Sequence, residues 1–288
     1  MPEHIGQAIA RERLRARLVD LRKQRRLSSD AVTARTHWSA SKLHRIETGA
    51  VTVQPLDVQA LLGIYEVRDS AEVSRLTDLA VIARRRQWWS GFQLDNEYRD
   101  FVAYENEASH ITVYQALQIP ALLQTPAYAR AVTSSVAGKK PDDHQLQNLI
   151  DVRMRRQAEL LARMRGAEPP ELVAILDGAV LERRIGGPDV LAGQLDHLIE
   201  MSRHEHVRLV VVPLRSGVHP SLGGVFELLE YEGTADPDVV LVESPVKAFL
   251  VKDGEVTARF HDAVDSMLEG GLTRDAAVEE IRRVRDSL

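Results

Sequence analysis

The sequence predicts a small all-α domain followed by a larger mixed α/β domain, divided at 1–85 and 86–288. Three observations carry this reading. The first 85 residues hold short apolar stripes at helical spacing, punctuated by Ser, Asp, Gly and Pro at positions suited to caps. Runs rich in β-branched residues come only later, with Val207–Leu214 (VRLVVVPL) the clearest, and they alternate with helical stretches. Charge divides in the same way. Residues 1–50 carry 11 basic and five acidic side chains, a net of +6, which leaves −11 for the rest of a chain whose total is −5. On composition alone two readings stay open: a basic module on an acidic body can attract a polyanion locally while the remainder is repelled, or its arginines simply solvate amphipathic helices.

The 288 residues suit one large or two modest domains. With 44 % apolar and 27 % charged residues the composition is that of a globular chain. Cysteine is absent, which excludes disulfides, thiolate metal sites and cysteine nucleophiles. Charges interrupt the N-terminal stretch where a signal peptide needs an apolar core, and no window approaches the roughly 18 apolar residues of a membrane span. The expectation is a cytoplasmic chain with no membrane partner.

Ile9, Leu14, Leu18 and Leu21 mark the first helix, and Lys23 to Arg26 at its end complement the helix dipole. Ser28-Ser29-Asp30 caps a second, short helix that ends near Thr36-His37. Ser39 caps a third, with Leu43 and Ile46 facing inward and Gly49 as its stop. Pro55 opens a fourth, with Leu56, Leu61 and Leu62. The fifth is predicted from about Ala71 to Trp88, and the domain junction lies between roughly 70 and 95.

In the second part, Phe101, Tyr104, Ala108 and Ile111 fall on one helical stripe. An apolar loop follows around Pro120, then short and long helices from Pro126 and over Asp142–Met164. Glu171–Leu176 reads as a strand, and Gly186-Gly187-Pro188 as the turn before another helix. Val207–Leu214, apolar on both faces, predicts a central strand. Phe226–Tyr231, Val239–Glu243 and Val246–Val251 complete the sheet. Helix returns from about Glu255, breaks at Gly270-Gly271 and resumes after a Thr273 cap.

The second and third helices, joined through Thr36–Ser39, have the layout of a helix-turn-helix, whose second member presents N-terminal side chains to the major groove of duplex DNA. The candidate DNA contacts are Ser29, Ser39, Ser41, Lys42, His44 and Arg45. A carboxylate at Glu47 repels phosphate, so Glu47 is expected to pair with an arginine of the first helix or with a neighbouring amide.

The segment from Leu27 to Gly49 resembles the Cro/C1-type, lambda-repressor-like domain, also called the xenobiotic-response-element type. It is most similar to the actinobacterial form, with its W-S-x-S-K-I-S-R-I-E-T-G recognition segment. RQWWSGF at 86–92, the block from Phe101 to Ala131, Arg153 with Arg156-Gln157, Ile185–Pro188, Val212–Leu214 with Gly217–His219, and Val242–Ser244 resemble the rest of such regulators, including their C-terminal DUF5753, antitoxin-like domain. The resemblance implies a dimeric transcriptional regulator of differentiation or secondary metabolism, controlled through the C-terminal domain by a small-molecule effector or a small partner protein. Ser29, Thr33, Thr36, His37 and Gly178 depart from the family pattern, which has Gln, Ala, Leu, Gly and an acidic residue there.

No catalytic set, cofactor-binding loop or metal-ligand spacing emerges. The ten histidines include no H-E-x-x-H, no G-x-S-x-G occurs, and Gly186-Gly187 and Gly223-Gly224 lack phosphate-loop spacing. The aromatic residues Trp88, Trp89, Phe92, Phe101, Tyr104, Tyr114 and Tyr128 predict core packing or an effector pocket, with Arg153 and Arg156 as acid-binding groups or as partners of carboxylates such as Glu159. Two other readings stay open on the sequence: an enzyme or small-molecule-binding protein built on a regulator scaffold, and an antitoxin-like interaction module.

Overall fold

Leu14, Leu18 and Leu21 recur on one face of α1 (Gln7–Gln24) and form, with Val32, Leu43, Leu61 and Leu76, the apolar core of the N-terminal half. The computed structural model describes residues 5–136, 143–219, 222–231, 236–243 and 248–288. Around this core pack α2 (Ser29–Thr36), α3 (Ala40–Glu47), α4 (Pro55–Ile64) and α5 (Ser70–Ile82). The starts of α2, α3 and α5 are set by side-chain oxygens that accept from otherwise orphaned amides, and α4 starts on Pro55, which has no amide hydrogen to satisfy. Ser28 Oγ accepts from Ala31 at 3.1 Å, Ser39 Oγ from Lys42 at 3.2 Å and Asp69 Oδ1 from Ala71 at 2.9 Å. The fifth helix stops at Ile82 rather than near Trp88. Leu79, Ala80 and Ala83 are buried, but Arg84, Arg85 and Arg86 are all exposed and supply no inward residue to continue it. Trp88–Gly91 form a separate 3-10 turn.

The chain divides into two compact units, 1–90 and 91–288. The second contains a seven-stranded mixed sheet in the order β6-β5-β4-β1-β2-β3-β7. The strands are β1 (His110–Gln115), β2 (Glu171–Asp177), β3 (Val207–Val212), β4 (Phe226–Glu230), β5 (Val239–Glu243), β6 (Ala248–Val251) and β7 (Leu272–Thr273). β1, β2 and β3 run parallel, and the remaining pairs are antiparallel. Parallel neighbours require long crossovers. α7 (Pro126–Val136) and α8 (Asp143–Arg163) lie between β1 and β2, and α9 (Gly178–Glu182) and α10 (Pro188–Met201) between β2 and β3. α6 (Asn96–Glu105) precedes the sheet, while α11 (Gly254–Gly270) and α12 (Arg274–Arg285) flank β7.

Two expectations are corrected. Ile111 does not extend the helix of Phe101 and Tyr104: α6 ends at Glu105, and Ile111 lies in β1, the middle strand. Its spacing from Tyr104 continues the helical register, and burial of five of the six β1 residues removes the alternation that marks a strand. β3 is the next-to-last strand, not a central one. It reads as apolar on both faces because α11 and α12 both pack on it and β7 covers its far edge. Residues 142, 244, 246 and 247, which bear on the predicted long helix, the Val242–Ser244 motif and the last strand, lie outside the described residues. Among the described residues no helix is long and apolar enough to cross a membrane.

Candidate functional site

The α3 sequence separates two faces. Leu43 and Ile46 are buried, whereas Ser41, His44 and Arg45 are exposed one turn apart. Ser39 is exposed but spends its hydroxyl on the Lys42 amide, so it fixes the start of the helix. Ser29 is exposed at the first turn of α2. Arg45 is exposed, and its Nε donates to the Ser41 carbonyl at 3.4 Å.

Lys42 differs from its neighbours. It is half-buried, its ammonium lies 3.0 Å from Asp57 on α4, and the same nitrogen sits 3.8 Å from the centre of the Trp38 ring. A carboxylate and a π face thus hold the charge that the sequence assigns to phosphate. Glu47 behaves as expected. Arg22 grips its carboxylate through Nε at 2.6 Å and Nη2 at 3.0 Å, and Arg15 donates to its backbone carbonyl at 3.3 Å. The hydrogen bonds to Glu47 raise the Arg22 guanidinium above its ordinary value.

The departures in the motif have clear local consequences. His37 adopts the left-handed conformation at φ 57°, a position that a glycine fills without a Cβ penalty. Thr36 is only half-buried, and its hydroxyl donates to the Val32 carbonyl at 3.0 Å, so no polar group is stranded there. Thr33 donates to the Asp30 carbonyl at 3.0 Å. At Gly178 a Cβ would lie 3.1 Å from the Leu214 amide nitrogen, so an acidic side chain would push against backbone.

The aromatic residues have several separate settings. Trp88 and Trp89 meet edge to face with centroids 5.4 Å apart; Trp89 is buried and Trp88 half-buried. Phe92 is half-buried. Tyr114 packs against Phe226 and His219, and Tyr104 against Tyr231, with Lys252 Nζ 2.6 Å from the Tyr104 hydroxyl. The Tyr128 hydroxyl accepts from the Ile119 amide at 3.2 Å. Phe101 lies beneath the Arg156 guanidinium, 4.9 Å from its carbon.

Neither arginine pairs with Glu159, whose partner is Arg155 at 2.5 Å. Arg156 is 4 % exposed and binds Glu105 through two nitrogens, with the Tyr98 hydroxyl 3.0 Å and Glu227 3.7 Å away. Burial opposes its charge, but Glu105 outweighs this and holds the guanidinium well above its ordinary value. Glu227 is held well above the carboxylate range by burial and by Glu105. Arg153 donates to Gln124 at 2.8 Å, has a buried Nε without a partner, and is lowered by burial.

The sequence missed Asp57, Glu105 and Glu227, each remote in the chain from the cation it meets. It also missed Asp177 and His219, which approach at 3.4 Å beside the Tyr114 hydroxyl at the ends of the first two strands. Burial, reinforced by Asp177, pushes that hydroxyl up to about 12.

No curated protein matches the chain. Two family models do: a helix-turn-helix domain over residues 13–76, and the domain of unknown function DUF5753 over residues 98–283. The first covers all of α2 and α3, so the outward face of α3 is that of a DNA-binding domain. Because the second spans more than half of its length, the chain belongs to the DUF5753 family, in the form that carries a helix-turn-helix regulator domain ahead of it.

Proposed function

We propose that the chain is a sequence-specific transcriptional regulator that reads duplex DNA with α3 as a homodimer. The observation that supports it best is the division of α3 into a buried Leu43–Ile46 face and an exposed Ser41–His44–Arg45 face, with the Ser39 hydroxyl fixing its start. Arg45 reads a base edge or a phosphate, Ser41 and His44 contact neighbouring groups, and Ser29 offers a hydroxyl and the first amides of α2 to the backbone. Two heads supply two half-sites one helical turn apart. The DUF5753 domain adjusts that spacing on binding a small molecule or a small partner protein, in differentiation or secondary metabolism; this role rests on resemblance.

The test is selection of genomic fragments by the purified chain at a stated salt concentration, followed by titration of the selected site. Sequence-selective binding that is lost in Arg45→Ala supports the reading. Retention of equal affinity by Arg45→Ala, or no selection at any salt, overturns it.

A further inference from the structure

A second cluster lies far along the chain from α3. Glu230 ends β4, Asp238 precedes β5 and His261 sits on α11. Phe260, next to His261, packs edge-on against Phe226 of β4 with centroids 5.0 Å apart, which fixes this turn of α11 over the strands. His261 Nε2 is 2.8 Å from Asp238 Oδ2, and its Nδ1 is 3.9 Å from Glu230 Oε1. One ligand-type atom from each residue lies within 4.8 Å of the other two. The ligands of a divalent ion with bonds near 2.1 Å are about 3–4 Å apart, so side-chain rotations of about 1 Å suffice. All three side chains are about one-third exposed, 30–36 %, which leaves room for that adjustment and a route for an ion.

We infer that Glu230, Asp238 and His261 form a binding site for a divalent transition-metal ion, zinc or manganese, that ties α11 to the β4–β5 edge of the sheet. One imidazole and two carboxylates make a donor set of intermediate hardness, which suits these ions better than magnesium or calcium. His110 is the cross-strand partner of Glu230 on β1, so the site adjoins the middle of the sheet. Spacing along the chain gave no hint of it, since the three ligands come from three separate elements.

The experiment uses the full chain stripped of metal by chelator and dialysis, titrated calorimetrically with zinc chloride and with manganese chloride and melted with and without each. The expected result is saturable binding of one ion per chain and a raised melting midpoint. Asp238→Asn and His261→Gln each weaken binding by about tenfold or more. Asp262→Asn, which removes the adjacent exposed carboxylate, binds as the parent does. Circular dichroism of each variant without metal separates loss of a ligand from loss of fold. Absence of saturable binding up to about 1 mM metal, or equal binding by all the variants, overturns the inference and leaves an imidazole paired with two carboxylates.

Discussion

Each half of the chain contains a cation set against a carboxylate from a distant element, and the two pairs are built for opposite ends. Arg156 is 4 % exposed, bound by Glu105 through two nitrogens and set over the Phe101 ring. Lys42 is 35 % exposed, meets Asp57 through a single ammonium, and shares its charge with an indole. The first cation has no route to a partner outside the fold, so its charge is structural. The second can exchange one anion for another, because solvent has already met part of its desolvation cost. Burial decides which charge a ligand reaches; the residue type alone does not.

Removing the buried cation should have the largest effect. Arg156→Leu leaves Glu105 and Glu227 together in the interior and should cost about 3–5 kcal/mol in a denaturant melt; a loss below about 1 kcal/mol would make this pair no different from the exposed one. Glu227→Gln should act in the opposite direction. Glu227 keeps its proton in the fold as pH rises past the value at which the unfolded chain releases it, so the native state loses stability over that rise. Glutamine abolishes the loss. The variant should therefore be the more stable protein at neutral pH, with the gap closing towards about pH 4, and a gap that widens on acidification would refute the protonated state.

The exposed pair sharpens the contrast on DNA. Arg45→Ala should weaken binding to a selected site by about 1–3 kcal/mol, and Lys42→Ala by less, because Lys42 must first leave Asp57. Equal losses would show that Asp57 holds nothing back. Asp57→Asn should tighten binding and steepen its salt dependence by about one phosphate contact. Unchanged affinity and slope would mean that Lys42 stays on its indole in the complex. The smallest effect is expected at the turn: His37→Gly relieves a left-handed side chain and should raise the melting stability of the head by about 1 kcal/mol. A fall in stability would mean that the imidazole makes a compensating contact.

What the sequence disclosed follows the reach of its patterns. Leu43 and Ile46 inward and the Ser28 and Ser39 caps were legible because they rest on neighbours within a turn, and an arginine for Glu47 because the first helix is crowded with arginines, although Arg22 is 25 positions away. Glu105 as the partner of Arg156 was not, since helical spacing offers Glu159 first and says nothing of a residue 51 positions away. β1 was hidden for a related reason. Its full burial erases the period of two, and Ile111 happens to continue the register of the preceding helix. Long-range pairing, in charges and in strands alike, is where local patterns stop.

The strand order also has a consequence in time. β1 needs Glu171 on one side of His110 and Glu230 on the other. The head draws its core from residues between Ala10 and Ala83, so on a ribosome it is complete while the middle of the sheet is still waiting for neighbours. At usual elongation rates the last neighbour of β1 emerges on the order of ten seconds after β1 itself. Through that interval Ile111 and Val113 lie on a strand with an open edge, a template for pairing with another nascent chain. Translation that stops before Phe226 would release a chain whose β1 lacks its β4 neighbour and keeps that edge open for pairing.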